Sequence, residues 1–201
     1  MAISPADVKK LREQTGCGIM DCKQALQEAN GDFEEAKDIL RKKGIAVAAK
    51  RADRAASEGA VVSYIHGDGR IGVLLEVNCE TDFVARTDSF RALARELAMQ
   101  IAAAKPKWVS KEEVSEADLA RERSVLIEQA KTEGKPENIA EKMVEGRMRK
   151  FYEEFCLLEQ EYIRDESKKI QDLVDDLVSQ CGEKIIVRRF VRFALGEELP
   201  E

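Results

Sequence analysis

Five cysteines and a single histidine are the residues of this 201-residue chain best suited to nucleophilic or metal chemistry. Their spacing supports neither. Cys17, Cys22, Cys79, Cys156 and Cys181 contain no Cys-x-x-Cys pair, and a structural zinc site would have to gather four scattered ligands. A cysteine nucleophile would depend on His66 as its base, with no acidic residue placed to orient the ring. An odd, scattered set is also a poor disulfide framework, so mostly buried free thiols in a reducing, cytoplasmic setting are expected. The run Gly67-Asp68-Gly69-Arg70-Ile71-Gly72 carries the glycine spacing of a dinucleotide loop. It precedes an alternating apolar run instead of opening a helix after one, which is the wrong context for phosphate binding. No Gly-Lys-Ser or Gly-Lys-Thr phosphate loop occurs. No catalytic residue, metal or cofactor is expected.

One further stretch stands out by residue type. Asn78-Cys79-Glu80-Thr81-Asp82-Phe83-Val84-Ala85-Arg86 lies where a polar connection belongs, yet it sets Phe83 and Val84 beside Asp82. Either Phe83 folds back onto the core, or the segment is a loop that presents one acidic and one apolar group to a partner. Loops held between rigid elements often carry function, and aromatic anchors dominate interfaces.

The elements that must position such a segment follow from composition and periodicity. Apolar residues make up 44% of the chain, charged residues 36% and aromatics 5%, a mixture that suggests solvated helices around a modest core. With 33 basic and 39 acidic groups the net charge is −6, which disfavours nucleic-acid binding by general phosphate attraction. No apolar run approaches the roughly 18 residues needed to span a bilayer, and Met1-Ala2-Ile3-Ser4-Pro5 lacks the basic and apolar regions of a signal peptide.

Residues 1–55 read as a small helical module with a linking helix. Ser4-Pro5 with Asp7 resembles a capped helix start that should stop near Gly16 and Gly18. Cys22, Ala25, Leu26 and Ala29 share one face of a second helix ending at Asn30-Gly31. Asp32 with Glu35 resembles a capping box for a third helix, carrying Phe33, Ala36, Ile39 and Leu40 and ended by Gly44. An alanine-rich basic stretch, Ile45 to Ser57, then continues as a linker. Arg41, Lys42, Lys43, Lys50, Arg51 and Arg54 could touch phosphates or form a solvated helix face, the reading favoured here.

Residues 56–201 read as an α+β core. Val61, Ser63 and Ile65 alternate, as do Val73, Leu75, Val77 and Cys79, and Gly67-Asp68-Gly69 between them signals an antiparallel hairpin. Phe90, Leu93, Ala94, Leu97, Ala98 and Ile101 form the apolar stripe of a strong helix. Residues 111–180 hold 19 acidic and 12 basic groups, with helical signals at Leu119–Ala130, after Pro136 and at Ile170–Val178. Phe151 to Ile163 could be strand or loop. Lys184 to Leu195 is a last strand that should rejoin the hairpin; its Arg188, Arg189 and Arg192 fit either nucleic-acid contact or a solvated edge.

Three stretches together resemble the family of translation elongation factor Ts, the bacterial guanine nucleotide exchange factor for elongation factor Tu. They are Leu11-Arg12-Glu13-Gln14-Thr15-Gly16-Cys17-Gly18-Ile19-Met20-Asp21-Cys22-Lys23, Glu76-Val77-Asn78-Cys79-Glu80-Thr81-Asp82-Phe83-Val84-Ala85, and Phe190-Val191-Arg192-Phe193. The similarity covers nearly the whole chain. It implies an N-terminal ubiquitin-associated-like three-helix module followed by a small antiparallel sheet packed against helices, with one core subdomain. Short members of this kind resemble forms that act as homodimers.

The resemblance also implies roles. Thr81, Asp82, Phe83 and Val84 match the segment that displaces Mg2+ from the partner GTPase, elongation factor Tu, and so promotes GDP release. Phe83 would wedge between partner helices and Asp82 would perturb the metal's surroundings. The module would grip the same partner near Arg12, Ile19 and Met20, where the family often has methionine in place of Ile19. Such a protein would be cytoplasmic and not an enzyme, with no direct nucleic-acid or membrane partner. The competing reading is a helical adaptor that binds ubiquitin-type or other helical partners; it has no need of Asp82 and Phe83 in that context.

Overall fold

The computed structural model describes residues 3–49, 54–133 and 137–197. It is an α+β protein, in which a small antiparallel sheet packs against helices. Two compact units divide it, one built from Met1–Val62, Leu75–Glu96 and Asp172–Arg189, the other from Ser63–Leu74, Leu97–Gln171 and Phe190–Glu201.

The first unit opens with three helices, α1 (Pro5–Thr15), α2 (Ile19–Glu28) and α3 (Phe33–Ala49). Ser4 caps α1: its hydroxyl accepts from the Asp7 N–H at 3.1 Å, and the Asp7 carboxylate accepts in return from the Ser4 hydroxyl and N–H. Gly16 ends α1 with φ 69°, a left-handed cap that suits glycine. Asp32 accepts from the Glu35 N–H at 2.9 Å to start α3. Leu11, Cys22, Ala25, Leu26 and Ala36 are buried together between the helices.

Gly44 does not end the third helix. α3 runs through it to Ala49, and the glycine answers a packing demand. A Cβ at Gly44 would lie 2.3 Å from the Ser179 Cα, on helix α8 (Ile170–Cys181). The same contact is fastened by Arg41, whose guanidinium pairs with Asp172 and reaches Asp175 at 3.4 Å. Ser179 Oγ donates to the Arg41 carbonyl at 3.2 Å, and Cys17 Sγ to the Ser179 carbonyl at 3.5 Å. Of the basic linker, Arg41, Lys43 and Arg54 bond the chain's own carboxylates. Lys50 and Arg51 lie outside the described residues.

The expected hairpin forms from β1 (Glu58–His66) and β2 (Ile71–Cys79), and β5 (Ile186–Ala194) joins beside β2, in the order β1-β2-β5. Val73, Leu75, Val77 and Cys79 on β2 are buried, whereas Val61 and Ile65 on β1 are exposed. A one-turn helix, α4 (Asp82–Ala85), connects β2 to α5 (Asp88–Ala104), whose predicted stripe from Phe90 to Ile101 is buried.

In the second unit α6 (Glu116–Thr132) packs on α7 (Glu137–Phe155), and Arg147 of α7 bonds Gln129 and Glu133 at 3.0 and 2.7 Å. Pro136 lies outside the described residues. The Phe151–Ile163 stretch is neither plain strand nor plain loop. Its first residues finish α7, and the rest leads into a hairpin of β3 (Glu161–Tyr162) and β4 (Asp165–Lys169). Non-local bonds dictate this path. The Leu157 and Leu158 N–H groups donate to the Trp108 and Val109 carbonyls at 2.9 and 3.0 Å, and the buried Gln100 amide bonds Gln160, Glu161 and Ile163.

Candidate docking surface

The segment for which the sequence leaves open a folded-back Phe83 or a presenting loop is a single helical turn, α4, preceded by Thr81. Thr81 is its N-cap, with an extended backbone and a hydroxyl that accepts from the Val84 N–H at 3.4 Å. The turn sorts the four side chains by direction. Val84 is buried and Thr81 is engaged within the fold, whereas Phe83 is 80% exposed. Asp82 is half-buried and pairs with Arg86 one turn later at 2.9 Å. The question of whether Phe83 folds back is therefore answered: it projects outward, from a turn capped at its N-terminal end by Thr81.

Thr81 is held by a residue that sequence reasoning missed. Glu183, two positions beyond α8, accepts from the Thr81 N–H at 3.1 Å and from its hydroxyl at 2.7 Å. Glu80 is another: it accepts from the Lys184 N–H at 2.9 Å and from Arg54 at 3.2 Å. Nothing in the sequence marks a pairing between positions 102 residues apart. Cys79 Sγ donates to the Thr81 carbonyl at 3.1 Å. Burial, and then the charge of Glu183, push the Cys79 thiol up to about 11, which keeps it protonated near neutrality.

The other predicted partner-binding residues lie on the three-helix module. Arg12 is exposed on α1, and Ile19 and Met20 open α2 at 54% and 72% exposure. Ile19 and Met20 therefore stand side by side in solvent at the start of α2. No bond joins Arg12, Ile19 or Met20 to α4; both groups are tied instead to α8 and its continuation, through Arg41 and Ser179 on one side and Glu183 and Lys184 on the other.

The remaining chemical candidates are accounted for locally. Cys17, Cys22, Cys79 and Cys156 are buried free thiols, Cys181 is a half-buried one, and His66 bonds the Tyr64 hydroxyl at 2.9 Å. Arg188 and Arg189 pair with Glu76, and Arg192 with Glu197. Among the described residues no cluster of His, Cys, Asp and Glu could hold a metal ion, and no helix is long and apolar enough to cross a membrane.

The structure thus leaves an aromatic exposed on the one-turn helix α4 and an apolar pair exposed at the start of α2. Comparison with known proteins gives the family. The family model described as Elongation factor TS matches residues 8–197. The elongation factor Ts of Moorella thermoacetica is 60% identical over 195 residues, covering 97% of this chain and 96% of that protein. That of Caldanaerobacter subterraneus is also 60% identical, over 97% of this chain and 98% of the relative. That of Desulforamulus reducens is 58% identical, over 98% and 91%. The chain belongs to the elongation factor Ts family of translation elongation factors.

Proposed function

We propose that this protein is a cytoplasmic guanine nucleotide exchange factor that binds elongation factor Tu·GDP and speeds GDP release by displacing Mg2+ from that GTPase, so that GTP can rebind. The observation that carries the reading is the outward projection of Phe83 from a turn whose N-terminal end is held through Glu80 and Thr81. Burying that ring between partner helices would contribute roughly 1.5–3 kcal/mol. Asp82, freed from Arg86, would bring a carboxylate toward the residues that hold the metal and disturb its charge balance. Arg12, Ile19 and Met20 would supply the second grip.

Exchange of this kind needs no acid, base or nucleophile, so the protein acts without being an enzyme. The factor and GDP oppose one another on the GTPase, and the weakening is reciprocal. Each 1.4 kcal/mol of opposition is about tenfold in affinity. A homodimer is the assembly implied for a short member of the family. The exposed Ile65, Leu74, Val191 and Phe193 of the sheet offer the apolar surface for it, and light scattering on the purified chain would read the mass.

Release of a fluorescent GDP from elongation factor Tu, followed by stopped flow, tests the reading. The wild-type chain should accelerate release, while Asp82→Ala and Phe83→Ala should lose most of the acceleration. Unchanged release with a folded protein and its cognate partner would reject exchange and favour the helical adaptor.

A further inference from the structure

A helix of one turn has no stability of its own, since nucleation costs more than one hydrogen bond returns. α4 must therefore be held from outside, and two segments distant in the chain exchange carboxylates to do it. Glu183 takes both the backbone N–H and the hydroxyl of Thr81, at 3.1 and 2.7 Å. Glu80 takes the Lys184 N–H at 2.9 Å, and its side chain is only 8% exposed. Because the Thr81 hydroxyl gives its proton to Glu183, its lone pair faces the Val84 N–H, which starts the turn. Bonds to an ionised carboxylate are shorter and stronger than neutral ones, so the pair is well suited to fixing a backbone.

We propose that Glu183 is a positioning residue for Phe83: by holding Thr81 it sets the angle at which the aromatic ring leaves the surface. This rests on the reading of Phe83 as the docking group. Since Glu183 follows α8, and α8 also carries Asp172, Asp175 and Ser179, which bind the three-helix module, one helix sets both grips.

The test uses Glu183→Ala and Glu183→Gln in the full chain. Glutamine keeps one acceptor oxygen and alanine none, so effects should grade from wild type through glutamine to alanine. The first readout is alkylation of Cys79 by N-ethylmaleimide, resolved by peptide mass. A buried thiol reacts only from an opened state, and Cys79 lies directly before the clamp, while the buried Cys156 reports on the rest of the fold. The second readout is GDP release as a function of factor concentration. Both variants lack the charge that raises the Cys79 thiol, so opening is read from the difference between them: Cys79 should label faster in Glu183→Ala than in Glu183→Gln, by up to about tenfold, with Cys156 unchanged. The maximal release rate should fall by about tenfold while the half-saturating concentration moves less, since the module still docks.

A Cys79 that labels no faster in Glu183→Ala than in Glu183→Gln would overturn the proposal. So would Cys79 and Cys156 opening together, or a wild-type release rate with Cys79 opened. If the wild-type chain itself fails to accelerate release, the exchange reading falls; Cys79 labelling, which needs no partner, then decides the clamp alone.

Discussion

The residues Thr81, Asp82, Phe83 and Val84 divide between holding the turn and presenting it. Thr81 caps α4 and bonds Glu183, and Val84 is buried, so replacing either acts on stability. Thr81→Ala removes a cap and half-empties a carboxylate, at about 1–2 kcal/mol, and Val84→Ala leaves a void that costs about 1–3 kcal/mol. Phe83→Ala removes a side chain that is 80% exposed, so its unfolding free energy from urea melts should stay within about 0.5 kcal/mol of the wild type. The same three variants should rank differently in GDP release, where Phe83→Ala suffers most. A Phe83→Ala protein that is markedly less stable than the wild type would mean that the ring packs inward. Residue type alone told that this segment was unusual; it did not tell which of its side chains faced out.

At the scale of elements, the contact of α3 with α8 joins the three-helix module to the helix that leads to Glu183. Gly44 permits the approach. Gly44→Ala should force α3 away from Ser179 and cost about 1–3 kcal/mol, with faster amide exchange along α3 and little change in the β2 strand. Full protection of α3 in that variant would show that the helices separate without cost. The sequence placed a helix end at Gly44, since glycine after an apolar helical run is the usual stop signal. Only the neighbour across the gap explains why a glycine stands inside a helix here. Local periodicity had no such obstacle in α5, where every stripe residue from Phe90 to Ile101 is buried.

Two buried thiols give the whole molecule a pH dependence on the alkaline side. Burial pushes Cys79 and Cys156 up to about 11, helped by Glu183 for the first and by Glu159, Glu112 and Glu113 for the second. A folded pKa raised above the unfolded value gives stability that is complete below about 9, the ordinary thiol value, and is lost as pH rises toward about 11. The urea midpoint should therefore fall over that interval, and Cys156→Ala should flatten part of the fall. A midpoint that holds constant there would place these thiols in water.

The sequence by itself determined the family and the α+β class. It also determined the capped helices α1 and α3 and the buried faces of β2 and α5, because caps, turns and apolar periods are local physics written within a few residues. The tertiary structure alone decided the path from Phe151 to Ile163, the role of Gly44, and the Glu80 and Glu183 clamp that aims Phe83. Each depends on partners tens of residues away in the chain, bound through backbone groups and close approaches that leave no pattern in the local sequence.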